Sequence, residues 1–184
     1  MKTIYIDMDM TLNKIWIPFY EKFNKKYNIK NRINKEDLIH YEFGLNVEHE
    51  SEQNAFYKMS QIFNSKNFWF DAPVQEDAQK VVYKLIKKYK NIFIVTKLWT
   101  QNDYCALEKT RWIRKYFPFF NLDNIIYTGR KDLLIGDFLI DDAPIYMNLT
   151  NVEIIAFDYP YNRKYKDVLR VKSWSEIGKF FEVD

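Results

Sequence analysis

Apolar residues recur along this chain in two rhythms. Short uninterrupted runs at 4–6, 92–95, 125–127, 138–140 and 154–157 have the length and composition of strands buried on both faces. Between them the apolar positions follow helical spacing. Trp16, Phe19, Tyr20, Phe23 and Tyr27 form one stripe, and Ala55, Phe56, Met59, Ile62 and Phe63 a second. A third, Ala78, Val81, Val82, Leu85, Ile86 and Tyr89, predicts a helix opened by Pro73. Lys87, Lys88 and Lys90 would complement the negative end of its dipole, with Asn91 as its cap. A further helix is expected over about 103–116. Ser173 and Glu176 read as a capping box ahead of Ile177, Phe180 and Phe181. Residues 30–50 are polar and show no clear period.

Strands of this length alternating with helices predict an α/β fold, a parallel sheet with helices on both faces. The aromatic-rich stretch 13–70 interrupts that alternation straight after the first strand. It is expected to be a small helical cap inserted into a core made of 1–12 and 71–184.

The 184 residues, 47% hydrophobic and 18% aromatic, supply enough apolar material for one packed core with a modest insertion. With 4 glycines and 5 prolines there is no linker-like or low-complexity segment. A net charge of +3 is too mild and too evenly spread to predict binding to a nucleic acid polymer. The one cysteine, Cys105, excludes an intramolecular disulfide, and with two histidines it argues against a zinc site. No apolar run is long enough to span a membrane, and the first strand leaves no room for a signal peptide, so a cytoplasmic location is expected.

The polar residues at the strand ends carry the chemistry. Asp7 and Asp9 end the first apolar run two residues apart, with Thr11 after them; Thr96 ends the second; Asp141 and Asp142 end the run 138–140; Lys131 lies in the loop after 125–127. In open parallel sheets ligands bind beyond the carboxyl ends of strands. Carboxylates this close need a cation or a shared proton. A carboxylate nucleophile, a second carboxyl as general acid and base, an oxygen-liganded Mg²⁺, a hydroxyl and a lysine together suit phosphoryl transfer.

DMDMT at 7–11, Thr96, Lys131 and FLIDD at 138–142 resemble the four motifs of the haloacid dehalogenase superfamily. KNFWF at 66–70, YCALEKTRWIRKYF at 104–117, DFLIDDAP at 137–144 and FDYPYN at 157–162 are similar to the 5'(3')-deoxyribonucleotidases within it. The likeness covers about 3–12 and 66–180 and is weak in the insertion. It implies a Rossmann-like core and Mg²⁺-dependent hydrolysis of deoxyribonucleoside monophosphates through an aspartyl-phosphate. Asp7 would be nucleophile and metal ligand. Asp9 would be the general acid and base, with its carbonyl on the metal. Asp141 would complete the metal site, supported by Asp142. Thr96, Lys131 and the backbone N–H groups of Met8 and Lys97 would hold phosphate. Phe68 would stack on the base, with Trp69 and Phe70 as neighbouring candidates.

Three departures bear on substrate preference: Met10 where glycine is common, Lys97 where a small residue is usual, and Arg130 displaced by one. A different small phosphomonoester, or a catalytically silent nucleotide binder, is the alternative. A receiver-type signalling module fits poorly, because its acceptor aspartate would end a middle strand where this chain has Thr96. The exposed aromatics of the cap are compatible with a homodimer.

Overall fold

The strands β1 (Thr3–Asp7), β2 (Asn91–Thr96), β3 (Ile125–Tyr127), β4 (Phe138–Asp141), β5 (Glu153–Phe157) and β6 (Leu169–Val171) form one parallel sheet in the order β3-β2-β1-β4-β5-β6. The computed structural model describes residues 2–30, 33–47 and 51–184. Residue 1 of the expected core and 31–32 and 48–50 of the expected cap therefore lie outside the described residues. The sheet is the α/β architecture anticipated from the strand runs. β6 was not anticipated: it is a three-residue edge strand, Leu-Arg-Val, too short and too polar to register as an apolar run.

Side chains alternate across the sheet as the strand period demands. Ile4, Ile6, Ile92, Ile94, Phe138, Ile140, Ile155 and Phe157 pack with α3 (Ala78–Lys88) and α5 (Trp174–Phe180) on one face. Tyr5, Val95, Leu139, Ile154 and Ala156 face the other way, under single 3-10 turns such as Pro144–Tyr146 rather than long helices. Fully burying one such aliphatic side chain is worth roughly 1.5–3 kcal/mol, so these two layers hold the sheet.

The third helix starts at Ala78 and not at Pro73. Pro73 to Gln75 are used instead to close the helical segment: Lys14 N–H donates to Pro73 O (2.8 Å), Gln75 N–H to Leu12 O (2.9 Å), and Asn13 bridges Val74. Asn91 is the first residue of β2, and its amide donates to Thr3 Oγ1 (3.3 Å) instead of capping the helix. At α5 the Ser173 hydroxyl accepts from Glu176 N–H (3.3 Å) as expected, while the Glu176 carboxylate takes Lys172 N–H (2.7 Å).

Between the Asn13–Val74 closure points lie α1 (Trp16–Tyr27), α2 (Glu52–Phe63) and the 3-10 turns Lys35–Asp37 and Phe43–Asn46. Phe19 contacts Tyr20, Phe23, Phe43 and Phe63, and this aromatic set is continuous with the core around β1. The stretch 33–43 is also tied to the β5–β6 connection. Arg163 donates to both oxygens of Glu36 (2.6 and 2.9 Å), and Tyr161 N–H to Leu38 O (3.2 Å).

Gly44 is where α2 and the 43–46 turn come closest: a Cβ there would lie 2.6 Å from the carbonyl oxygen of Ala55, a backbone atom that cannot yield. Gly44→Ala is expected to destabilise the protein by about 1–3 kcal/mol, as overpacking typically does. A lowered Tm in thermal denaturation, relative to wild type, checks this.

Candidate active site

β1 is the central strand from which the chain crosses to both sides of the sheet, so its carboxyl end lies at the switch point where open α/β sheets bind ligands. Register brings the polar ends together. Ile6 pairs with Ile140, which sets Asp7 level with Asp141, and Asp7 pairs with Val95, which puts Thr96 one residue beyond. Single carboxylate oxygens of Asp7, Asp141 and Asp142 lie within 4.8 Å of one another, and all three residues are buried.

Lys131, 2% exposed, donates to Asp7 and to Asp141 (2.5 Å). The other Asp141 oxygen accepts Ala143 N–H (2.8 Å). Asp142 accepts from the Tyr161 hydroxyl (2.6 Å) and from Thr11 Oγ1 (3.3 Å), and its carbonyl accepts from the Asn162 amide (2.9 Å). Burial pushes the Asp7 carboxyl up to about 7; Lys131 opposes this, while Asp141 and Asp9 add to it. Burial, then Asp7 and Asp141, raises Asp142 well above the carboxylate range. Burial works against the charge of Lys131, but Asp141 and Asp7 outweigh it and hold the ammonium above its ordinary pKa. Were all three carboxyls ionised, one ammonium would leave two negative charges in the buried, all-oxygen cluster, and the raised Asp7 and Asp142 carboxyls show how strongly the protein alone resists it. That donor set fits a hard divalent cation.

Asp9 turns away from the cluster. Its carboxylate accepts from Asn13 Nδ2 (3.1 Å) and from Lys109 Nζ. Lys109 is wholly buried and also donates to Thr96 Oγ1 (2.8 Å) and to the carbonyl of Lys97 (2.7 Å). One ammonium thus joins the ends of β1 and β2 from α4 (Cys105–Tyr116), with its three N–H bonds all used.

Over these groups lies a cavity of about 280 Å³, lined by Asp7, Asp9, Asp141, Asp142, Lys97 and Lys131 on one side and by Ile15, Tyr41, Phe43, Phe63, Trp69 and Trp99 on the other. A polar floor under an aromatic wall suits a small ligand with one charged and one flat end.

Compared with known proteins, residues 1–183 match the family model described as "5' nucleotidase, deoxy (Pyrimidine), cytosolic type C protein". The chain belongs to this family. A 5'(3')-deoxyribonucleotidase of Bacillus subtilis (strain 168) is 28% identical over 185 residues, covering 97% of each chain. One from Clostridium acetobutylicum is 29% identical over 180 residues, covering 98% of this chain and 94% of its own. Among solved structures, a haloacid dehalogenase-like hydrolase from Streptococcus pneumoniae superposes with a TM-score of 0.61 at 13% identity, covering 98% of both chains. A hydrolase of the same superfamily from Deinococcus radiodurans, with bound phosphate and sodium, gives 0.63 at 10% identity, covering 99% of this chain and 96% of its own. A putative one from Bacillus subtilis, bound to magnesium, gives 0.59 at 12%, covering 97% of each. The chain is a phosphoric monoester hydrolase of the haloacid dehalogenase fold.

In this nucleotidase-family chain the structure brings Asp7, Asp9, Thr96, Lys97, Lys131, Asp141 and Asp142 to one place. Phe68 departs from expectation: it is fully buried against Phe63 (5.1 Å between ring centres) and Trp69 (4.8 Å) and does not line the cavity. The reason is local. Asn67 has φ 58°, and the Glu108 carboxylate holds Asn67 N–H (2.8 Å) and Trp69 N–H (3.1 Å), which sends Phe68 inward and Trp69 to the cavity wall. Phe70 faces a different cavity. The Met8 side chain is in the core, and its carbonyl accepts Leu12 and Asn13 N–H groups. Met10 takes the left-handed conformation (φ 66°), and its carbonyl accepts from Gln75 Nε2 and the Tyr159 hydroxyl. Arg130 is exposed and pairs with Asp132 away from the cavity. The Lys97 stem runs across Gly129.

Sequence reasoning missed Lys109, Tyr41 and Tyr161. For Lys109 a signal was present: Cys105, Glu108, Lys109, Trp112 and Ile113 form the buried stripe of α4, so two charged residues stand on an otherwise apolar face.

Two outcomes follow for this site. Lys109→Met removes the ammonium that holds Asp9, Thr96 and the Lys97 carbonyl together and should lower kcat by about a hundredfold, the range for site groups misplaced by about an ångström. Lys109→Arg should not restore it, because a guanidinium fork cannot replace a point donor with three acceptors; steady-state kinetics reads both. A carboxyl whose pKa is raised on folding costs stability as pH climbs from the unfolded value near 4 to the folded value of about 7. With chelator at pH 7, Asp7→Asn should therefore melt several degrees above wild type, the gain shrinking toward pH 4.

Proposed function

We propose that this chain hydrolyses deoxyribonucleoside 5'(3')-monophosphates to nucleoside and phosphate, with Asp7 as nucleophile and Asp9 as general acid and base. The observation that carries this reading is the cavity itself: Asp7, Asp9 and Lys131 in its floor, Tyr41, Phe43, Phe63 and Trp69 in its wall. The family relationship supports a nucleotide as the ligand.

The proposed reaction has two steps. An Asp7 oxygen attacks phosphorus, the ester P–O bond breaks, and a protonated Asp9 gives its proton to the departing sugar oxygen. Asp9, now a carboxylate, then takes a proton from water as that water attacks the aspartyl-phosphate, releasing phosphate and restoring Asp7. Lys109 and Asn13 would hold the Asp9 side chain in place through both steps. Thr96, Lys131 and the Met8 and Lys97 N–H groups would hold the phosphoryl oxygens. The Asp7, Asp141 and Asp142 carboxylates, with the Asp9 carbonyl, would hold a Mg²⁺, whose bound charge would neutralise the phosphate and stabilise charge transferred in each step. Residues 13–70 act as a cap in this reading, placing Tyr41, Phe43, Phe63 and Trp69 around the base and sugar and excluding water.

Phosphate release from a panel of deoxy- and ribonucleoside monophosphates with Mg²⁺ tests this. Deoxynucleotides should turn over, Asp7→Asn and Asp9→Asn should both lose activity, and Tyr41→Ala should raise KM for nucleotides while leaving p-nitrophenyl phosphate unchanged. Cleavage of p-nitrophenyl phosphate alone would retain the phosphatase and remove the nucleotide.

A further inference from the structure

A second pocket, open to solvent, lies on α4 and is lined by the buried Glu108, the half-buried Phe70 and the exposed Asn67, Arg111, Arg114 and Lys115. It shares no lining residue with the catalytic cavity. Arg111, Arg114 and Lys115 follow Glu108 by three, six and seven residues, so they project from one side of the helix. Among the described residues neither Arg111 nor Arg114 has an ion pair or a side-chain hydrogen bond. The ammonium of Lys115 stands 4.9 Å from the centre of the Phe70 ring.

The wall contains one carboxylate, and it is spoken for. Glu108 is 5% exposed, and its two oxygens accept the N–H groups of Asn67 and Trp69. The helix dipole accounts for Arg114 and Lys115, which lie in the last turn of α4. Arg111 sits further up the helix, where the dipole has no claim on it.

We propose that this cavity binds an oligophosphate anion, either inorganic or carried on a nucleoside. Three cations with no available carboxylate favour a ligand with more than one negative charge. Guanidinium forks match phosphate oxygens in pairs. The cavity stands back to back with the catalytic one. Its Asn67–Phe70 wall also carries Trp69, and the residue after Glu108 is Lys109, which holds Asp9. An anion drawn between Arg111 and Arg114 would therefore press on the segments that position both.

Calorimetric titration tests this, with inorganic tripolyphosphate as probe and chelator present. One tripolyphosphate per chain is expected, weakened roughly tenfold or more in an Arg111→Ser, Arg114→Ser double variant and unchanged in Asp7→Asn. Arg114→Ser alone, with a smaller loss, serves where the double variant fails to fold. Deoxyadenosine triphosphate in a parallel titration separates the sources: tighter binding than tripolyphosphate assigns a base to the Phe70 wall, and equal binding assigns the site to the phosphates alone. No binding, equal binding in wild type and double variant, or loss of binding in Asp7→Asn would overturn the proposal. No turnover is read, so the result stands apart from the nucleotidase reading.

Discussion

Three carboxylates, Asp7, Asp141 and Asp142, are buried within 4.8 Å of one another against the single ammonium of Lys131. Burying like charges in that ratio is costly unless hydrogen bonds and a counter-charge relieve them. Much of the surrounding structure answers this requirement. Thr11 and Tyr161 donate hydroxyls to Asp142, Ala143 donates its N–H to Asp141, and Asn162 fixes the Asp142 carbonyl. The Asp7 carboxyl is still raised, by burial first and by Asp141 and Asp9 after it, against the opposing pull of Lys131. A buried cluster that costs its own fold in this way has the donor set to hold a cation.

A second constraint runs through α4. A helix stripe that should be apolar carries Glu108 and Lys109 side by side, both buried. They do not pair with each other. Glu108 reaches back to the Asn67–Trp69 turn, and Lys109 reaches forward to Asp9, Thr96 and the Lys97 carbonyl. The same helix thereby fixes the aromatic wall and the Asp9 carboxylate: loss of Glu108 would leave the Asn67 and Trp69 N–H groups without their acceptor, and loss of Lys109 would leave Asp9 without its cation.

The helical segment supplies the other half of the cavity through packing continuous with the core. Its aromatic cluster around Phe19 and Phe63 joins the residues under β1, and Glu36 and Leu38 bind the β5–β6 connection through Arg163 and Tyr161. Tyr41 contacts the Tyr161 ring (5.5 Å) and lines the cavity next to the carboxylates that Tyr161 helps hold. Aromatic content that composition alone would assign to a core is thus divided between core and ligand wall.

The sequence by itself was enough for the strand runs, the parallel α/β class, and the convergence of Asp7, Thr96, Lys131 and Asp141, because strand period and the strand-end rule turn local order into shared position. It could not decide which of Phe68, Trp69 and Phe70 meets the ligand, since that rests on the left-handed Asn67 and on Glu108, 41 residues away. Nor could it place Lys109 against Asp9 across 100 residues. Only packed helices bring those groups within reach. Periodicity is a property of neighbours along the chain, whereas the partner of a buried charge is chosen by whatever the tertiary structure puts beside it.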